Sequence, residues 1–283
     1  KGALAGSIAD YTLTTHWDAT VQLKDLGGVG YATQPGEVVN YVENHDNQTL
    51  FDVNAMKMPA ATSKEDRARV QLLGVATVAL AQGTAYFHAG VDTLRSKSLD
   101  RNSYDAGDWF NKLDWTYSDN NFGVGLPRAA DNQSTWDLMR PVLANADIKP
   151  TGTEIAWMRD AFRDLVKIRA GTTLLRLRTA EDIRQRLVFH NLGSNQLPTV
   201  LAASIDGTGY AGASHRKLAY VMNVGTTAQT LTVPALAGQA YVLHPVQAAA
   251  NAADRRVASG ARFNTATGAF TVPARSVAVF VVN

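Results

Sequence analysis

The hydrophobic pattern of this 283-residue chain changes near residues 171–180. Before this point, candidate helices alternate with short apolar runs; after it, only short β-rich segments follow, separated by Gly, Asn and Pro. A helix and a strand place apolar side chains on one face with different periods, so the two halves predict different architectures. We therefore expect an α/β domain over residues 1–175 and an all-β domain, an antiparallel β-sandwich, over residues 176–283.

The α/β part contains one strand–helix–strand unit. The apolar run 38–42 predicts a short strand buried on both faces. A helix with a capping-box spacing at Thr62 and Glu65 then continues to Gly83, and a second strand is predicted over 84–87. This order favours two neighbouring parallel strands.

A further helix and a series of strands complete the predicted elements. Thr153 is the predicted N-cap of a helix that ends near Gly171. Its apolar face comprises Ile155, Met158, Phe162, Leu165 and Val166. The strands that follow are predicted at 187–189, 199–205, 218–224, 229–233, 241–243 and 270–282.

Composition excludes several classes of function. The formal net charge of +2 is spread along the chain, which argues against a nucleic-acid partner. The longest apolar run is far shorter than the roughly 20 residues that span a bilayer, so no membrane-spanning segment is expected. With no cysteine the chain has no disulfide, which fits the cytosol and a bacterial exported protein equally.

Polar residues that suit a polar ligand follow the first predicted strand. His45 and Asp46 come just after run 38–42, and in βα folds the carboxyl ends of parallel strands form the active face. A carboxylate there can stabilise positive charge in a transition state, and an imidazole can bind a sugar hydroxyl. The alternative is that the pair satisfies loose backbone groups or caps a turn.

Metal binding is a weaker alternative. His45 and Asp46 could form a site with His88 and Asp92, which follow the next predicted strand, although the spacing matches no common zinc motif.

The long segment 89–150 holds further candidates for ligand contact. Trp109, Phe110 and Trp115 could stack on sugar rings, although such residues more often form a local core. Asp105 and Asp108 lie in an oxygen-rich loop that could hold a structural Ca²⁺, with a solvated loop as the alternative.

Two long motifs resemble those of one enzyme family. The segment VVNYVENHDNQTLFD (38–52) resembles the region around the seventh barrel strand of pullulanases and limit dextrinases, the debranching members of the α-amylase superfamily. The segment FHAGVDTLRSKSLDRNSYDAGDWFN (87–111) resembles the loop after their eighth strand. The resemblance covers essentially the whole chain and implies strands seven and eight of a (β/α)8 barrel, followed by a C-terminal β-sandwich.

The resemblance also implies an activity and residue roles. The enzyme would cleave α-1,6-glucosidic linkages in pullulan, branched dextrins and starch with retention of configuration. Asp46 would stabilise the oxocarbenium-like transition state and His45 would contact the same ring. Asp100 and Arg101 would bind the neighbouring glucose, with Asn47 close by. No cofactor is required for this chemistry.

The catalytic pair of carboxylates that a retaining glycosidase needs is not among these residues. Family members carry the nucleophile and the proton donor after barrel strands four and five, upstream of Lys1. Asp137 lacks the arginine expected two residues earlier, and Glu37 precedes its strand, so neither is a substitute. We therefore expect an N-terminal portion of the same enzyme as partner, an α-glucan as substrate, and a secreted or cell-surface bacterial location, with an intracellular one not excluded. The alternative function is a non-catalytic carbohydrate-binding module.

Overall fold

The computed structural model describes residues 1–283, which form two compact units. Unit 1 comprises Lys1–Asn40, Ala76–Tyr86 and Asp164–Asn283; unit 2 comprises Tyr41–Val75 and Phe87–Arg163. The α-helices are α1 (Leu50–Lys57), α2 (Lys64–Ala79), α3 (Asp108–Asn111), α4 (Ala129–Asn132), α5 (Trp136–Leu143), α6 (Gly152–Ala170), α7 (Ala180–Arg186), α8 (Pro245–Ala248) and α9 (Arg255–Gly260). No helix is both long enough and apolar enough to cross a bilayer. The domain boundary near residue 175 stays a prediction.

All twelve β-strands lie in unit 1. They are β1 (Thr12–Thr14), β2 (Thr20–Gln22), β3 (Val39–Asn40), β4 (Thr84–Ala85), β5 (Leu187–His190), β6 (Val200–Asp206), β7 (Lys217–Asn223), β8 (Gln229–Thr232), β9 (Val242–Leu243), β10 (Arg262–Asn264), β11 (Ala269–Val272) and β12 (Ser276–Val282). β1 and β2 form an antiparallel pair, and β3 and β4 form a parallel pair.

The C-terminal strands form two antiparallel sheets around a common core. One sheet has the order β5-β6-β7-β12-β9, and the other has the order β10-β11-β8. Apolar side chains from both sheets pack together, among them Val221, Leu231, Phe270 and Phe280. Phe270 contacts the rings of Tyr241, Phe263 and Phe280 at centroid distances of 5.7, 4.6 and 5.0 Å. The two sheets agree with the predicted antiparallel sandwich.

The strand that was predicted over 270–282 is two strands. Pro273 and the following residues interrupt the run, and Arg275 has a positive φ of 46°. Proline has no N–H for a sheet ladder, so it marks the break between β11 and β12. β12 is buried along its whole length, which explains why its sequence is apolar without alternation.

The first predicted strand is shorter and more exposed than expected. Only Val39 and Asn40 of the run 38–42 pair with a neighbour, and the side chains of Val39 and Tyr41 are about half exposed. The prediction of burial on both faces is therefore wrong for this chain, because β3 and β4 form a sheet of only two strands.

Two helix starts differ from the predicted caps by one or two residues. Ser63, not Thr62, accepts the Asp66 backbone N–H at the start of α2. At α6, the Thr151 hydroxyl accepts from the Thr153 N–H, and Glu154 accepts from the Thr151 N–H, so Thr151 caps the helix. Along α6 the buried stripe is Ile155, Met158, Ala161, Leu165 and Ile168, and the predicted Val166 is exposed.

A buried histidine makes unit 1 sensitive to acid. His244 is 7% exposed, and its Nδ1 accepts the Val246 N–H at the start of α8. Burial, and then the nearby His215, lower the pKa of His244 to about 4. In the unfolded chain the imidazole of His244 is protonated near pH 6.5, whereas in the folded chain it stays neutral down to about pH 4. The folded state therefore loses stability as the pH falls from about 6.5 to 4.

We expect His244→Asn to remove this part of the pH dependence of the free energy of unfolding, while the asparagine keeps a side-chain acceptor at the start of α8. The wild type should lose about 3 kcal/mol more than the variant between pH 7 and 4. Calorimetric unfolding across this pH range measures the difference, and identical profiles for the two proteins would contradict the assignment.

Candidate active site

The predicted catalytic residues lie on an irregular loop of unit 2, residues 41–49. His45, Asp46 and Asn47 are exposed, and the side chains of His45 and Asp46 are 81% and 71% accessible. The His45 Nε2 lies 3.7 Å from the Asp46 Oδ1. Side chains this accessible are not part of the core, so they are open to a ligand.

Local hydrogen bonds shape this loop. The Asn44 Oδ1 accepts the Asp46 N–H at 2.8 Å, which forms an Asx turn. Asn47 follows with a φ of 58°, a conformation that asparagine adopts more readily than most residues. Thr49 then caps α1 by accepting the Asp52 N–H. The backbone therefore reverses at His45–Asn47 and turns these three side chains outward.

A buried carboxylate holds the base of the loop. Glu43 is 5% exposed, and its Oε2 accepts the Leu50 N–H at 2.5 Å. Its Oε1 lies 3.1 Å from the His88 Nδ1, whose side chain is also mostly buried. The His88 imidazole therefore contacts Glu43 through its Nδ1.

A second buried carboxylate lies beneath the loop. Asp52 is fully buried, and it accepts hydrogen bonds from the Ser96 hydroxyl and the Lys97 backbone N–H at 2.5 and 2.8 Å. Burial raises the pKa of Asp52 to about 6, although hydrogen bonds from Ser96, Lys97 and Thr49 oppose the rise. The carboxylate is thus held in a low-dielectric interior and fixes the segment that carries Lys97.

Lys97 connects the two predicted site segments. Its side-chain Nζ donates to the His45 carbonyl at 3.1 Å, and its own carbonyl accepts the Asp100 N–H at 3.0 Å. The residues around Asp46 and those around Asp100 are therefore linked through one residue of unit 2.

Asp100 and Arg101 occupy different environments. Asp100 is fully buried; its Oδ1 accepts from the Asn132 side chain and the Asn102 N–H, and its Oδ2 has no hydrogen-bond partner. Arg101 is exposed, and its backbone N–H donates to the Asn132 Oδ1. Their roles in binding glucose stay predictions.

The aromatic candidates divide into two kinds. Phe110 is buried, which agrees with a local core. Trp109 and Trp115 are 64% and 61% exposed, so they are not core residues. The Trp109 Nε1 donates to the Val124 carbonyl, and the residue lines a groove of about 430 Å³ together with Lys112 and Asn121.

The residues proposed as metal ligands do not converge. No group of three or more His, Cys, Asp or Glu side chains is arranged to hold a metal ion, so His45, Asp46, His88 and Asp92 do not form the alternative site. The Asp105 carboxylate and carbonyl both accept from Arg128, so the guanidinium would compete with a calcium ion for these oxygens. Structural calcium stays a prediction.

Sequence reasoning missed Glu43, Asp52 and Lys97, which hold the loop from within. Charged residues are rarely fully buried without partners. The hydrophobic periodicity of the sequence does not distinguish these three residues from charged residues of a solvated loop. The one available signal is that all three belong to the two motifs that carry His45 and Asp100.

Comparison with known proteins identifies the family of this chain. The family described as alpha-1,6-glucosidases, pullulanase-type, C-terminal, matches residues 117–283. Chloroplastic pullulanase 1 of Arabidopsis thaliana is 39% identical over 98% of this chain and 30% of its own length. The pullulanase of Klebsiella pneumoniae is 35% identical over 98% of this chain and 26% of its own length.

Solved structures give the same result. The crystal structure of apo pullulanase from Klebsiella pneumoniae superposes with a TM-score of 0.90, at 37% identity, over 99% of this chain and 30% of that one. The same enzyme complexed with maltotriose also gives 0.90, over 99% of this chain and 27% of that one. The chain thus belongs to the pullulanase-type α-1,6-glucosidase family, which is a family of glycoside hydrolases. It spans less than a third of the length of these relatives.

Proposed function

We propose that this chain is part of a retaining glycoside hydrolase that cleaves α-1,6-glucosidic linkages in pullulan, branched dextrins and starch. Asp46 stabilises the oxocarbenium-like transition state, and His45 contacts the same sugar, with Asn47 close to the neighbouring glucose. Asp100 and Arg101 bind the neighbouring glucose. The observation that carries this proposal is the exposed His45–Asp46 pair on a loop anchored from within, in a chain of the pullulanase family.

The nucleophile and the general acid come from an N-terminal portion of the same enzyme. A retaining glycosidase needs two carboxyl groups about 5 to 5.5 Å apart. Asp52 and Glu43 are both buried and hydrogen-bonded within the chain, so they do not suit either role. The chain alone is therefore inactive.

The parallel pair β3–β4 supports an assignment to strands seven and eight of a (β/α)8 barrel. The two strands follow each other with α1 and α2 between them, which is the βα connection such a barrel repeats. A sheet of two parallel strands leaves both outer edges unpaired, and further strands of a barrel would cover them.

Reconstitution tests the proposal. This chain, produced together with the N-terminal portion, is expected to release maltotriose units from pullulan and to retain the anomeric configuration of the new reducing end. Proton NMR of the first product follows the anomer, and this chain alone is the negative control. Hydrolysis by the chain alone, or an inverted product, would contradict the proposal.

The second candidate function is a non-catalytic carbohydrate-binding module. The exposed indoles of Trp109 and Trp115 favour it, because aromatic rings stack on sugar faces. A chain that binds glucan by calorimetry, with no hydrolysis in the reconstituted enzyme, would favour this candidate.

No cofactor is part of the proposed chemistry. We place the complete enzyme outside the cell or at its surface, where polymeric glucans occur. The relatives include bacterial pullulanases and a chloroplastic one, so an organelle or the cell interior is the alternative.

A further inference from the structure

Lys97 is a buried cation that the proposed chemistry does not use. Its residue is 1% exposed, and the Asp52 carboxylate and the Asp100 N–H fix its backbone on both sides. Its Nζ reaches the His45 carbonyl at 3.1 Å. The backbone of Lys97 is therefore held in place while its side chain extends to the loop that carries Asp46.

Burial of an ammonium group is costly, and the surrounding charges reduce that cost. Burial lowers the pKa of Lys97, whereas Asp52, Asp100 and Glu43 oppose the shift and Arg95 adds to it. A residue needed only to fill space would be apolar, because a Met or Leu side chain fills a similar volume without losing hydration. The ammonium group differs from these in one respect: it donates hydrogen bonds to acceptors such as the His45 carbonyl.

The hydrogen bond from the Lys97 Nζ to the His45 carbonyl holds the peptide between His45 and Asp46. The N–H of that peptide donates to the Asn44 side chain within the same loop, and its carbonyl accepts from Lys97, which lies outside the loop; the positive φ of Asn47 follows. Glu43 holds the far end of the loop at Leu50, and Lys97 holds its tip at His45. The Asp46 side chain is exposed, so the direction of its carboxylate depends on how this peptide is oriented.

The geometry points to Lys97 as a positioning residue that orients the 45–46 peptide and thereby directs the Asp46 carboxylate toward the reacting sugar. This inference rests on the proposed function of Asp46. Lys97 touches no substrate in this role; it acts through the His45 carbonyl.

The test uses the complete enzyme with Lys97→Met, Lys97→Gln and the control Lys57→Met, which replaces an exposed lysine of α1. Misplacement of a catalytic group by about 1 Å costs on the order of 100-fold in rate. We expect Lys97→Met to lower kcat on pullulan by about this factor, with KM within about threefold of the wild type. The side-chain amide of Lys97→Gln is too short to reach the His45 carbonyl, so this variant should show a similar loss of kcat. It serves as the test if Lys97→Met fails to fold. Lys57→Met keeps wild-type turnover.

A double-mutant cycle with Asp46→Asn separates positioning from general damage. If Lys97 acts through Asp46, then Lys97→Met lowers the residual kcat of Asp46→Asn by less than about threefold. A full 100-fold loss in both backgrounds, or near-normal turnover of folded Lys97 variants, overturns the inference. Near-normal turnover of Asp46→Asn alone overturns the proposed function instead.

Discussion

Replacement of Asp46 by asparagine in the complete enzyme is expected to lower kcat on pullulan by about 100- to 1000-fold. Loss of one preorganised electrostatic group at a developing charge typically has an effect of this size. The substitution removes the negative charge and keeps the shape of the side chain. Because the carboxylate is exposed and lies near only the His45 imidazole, we expect the melting temperature to stay within about 1 °C of the wild type.

Asp137→Asn is the matched control for this experiment. Asp137 is an exposed carboxylate in the first turn of α5 that has no assigned role, so its variant should retain wild-type kcat. Steady-state release of reducing ends from pullulan measures both variants. Turnover of Asp46→Asn close to that of Asp137→Asn would refute the role of Asp46.

Phe270→Ala is expected to destabilise unit 1 more than any other single change considered in the sandwich. Phe270 is 1% exposed and contacts three aromatic rings between the two C-terminal sheets. Truncation of a buried phenylalanine removes its transfer free energy and leaves a cavity, at a cost of about 3 to 5 kcal/mol. This corresponds to a fall of roughly 10 °C in melting temperature.

The control for Phe270→Ala is Val188→Ala, a truncation of a half-exposed side chain in β5. It should cost less than about 1 kcal/mol, because surface substitutions away from special features have small effects. Differential scanning calorimetry compares the two variants, and equal losses would contradict the assignment of Phe270 to the centre of the core.

The sequence indicated His45 and Asp46 as candidates for ligand contact, since polar residues after a short apolar run are a recognisable pattern, and their roles stay predictions. It did not predict which carboxylates are buried. Glu43 and Asp52 are carboxylates like Asp46 but lie in a buried environment, and burial of a single charge has no periodic signature.

Some predicted boundaries of helices and strands differ from those in the structure, for identifiable reasons. Both Thr62 and Ser63 have an acidic residue three positions later, so spacing alone could not choose between them. The run 38–42 carries the composition of a strand, but the number of paired residues depends on neighbours that its sequence does not specify. The break at Pro273 was available as a signal, because proline is excluded from the interior of a sheet.

The position of β12 within its sheet affects how the protein folds during synthesis. β12 lies between β7 and β9, and it follows both of them in the chain, with Ser276 paired to Asn223 and Val282 to Lys217. Until β12 is synthesised, β7 and β9 lack the strand that joins them. Pairings of such long sequence separation also slow folding, so we expect the contacts of β12 with β7 and β9 to form late.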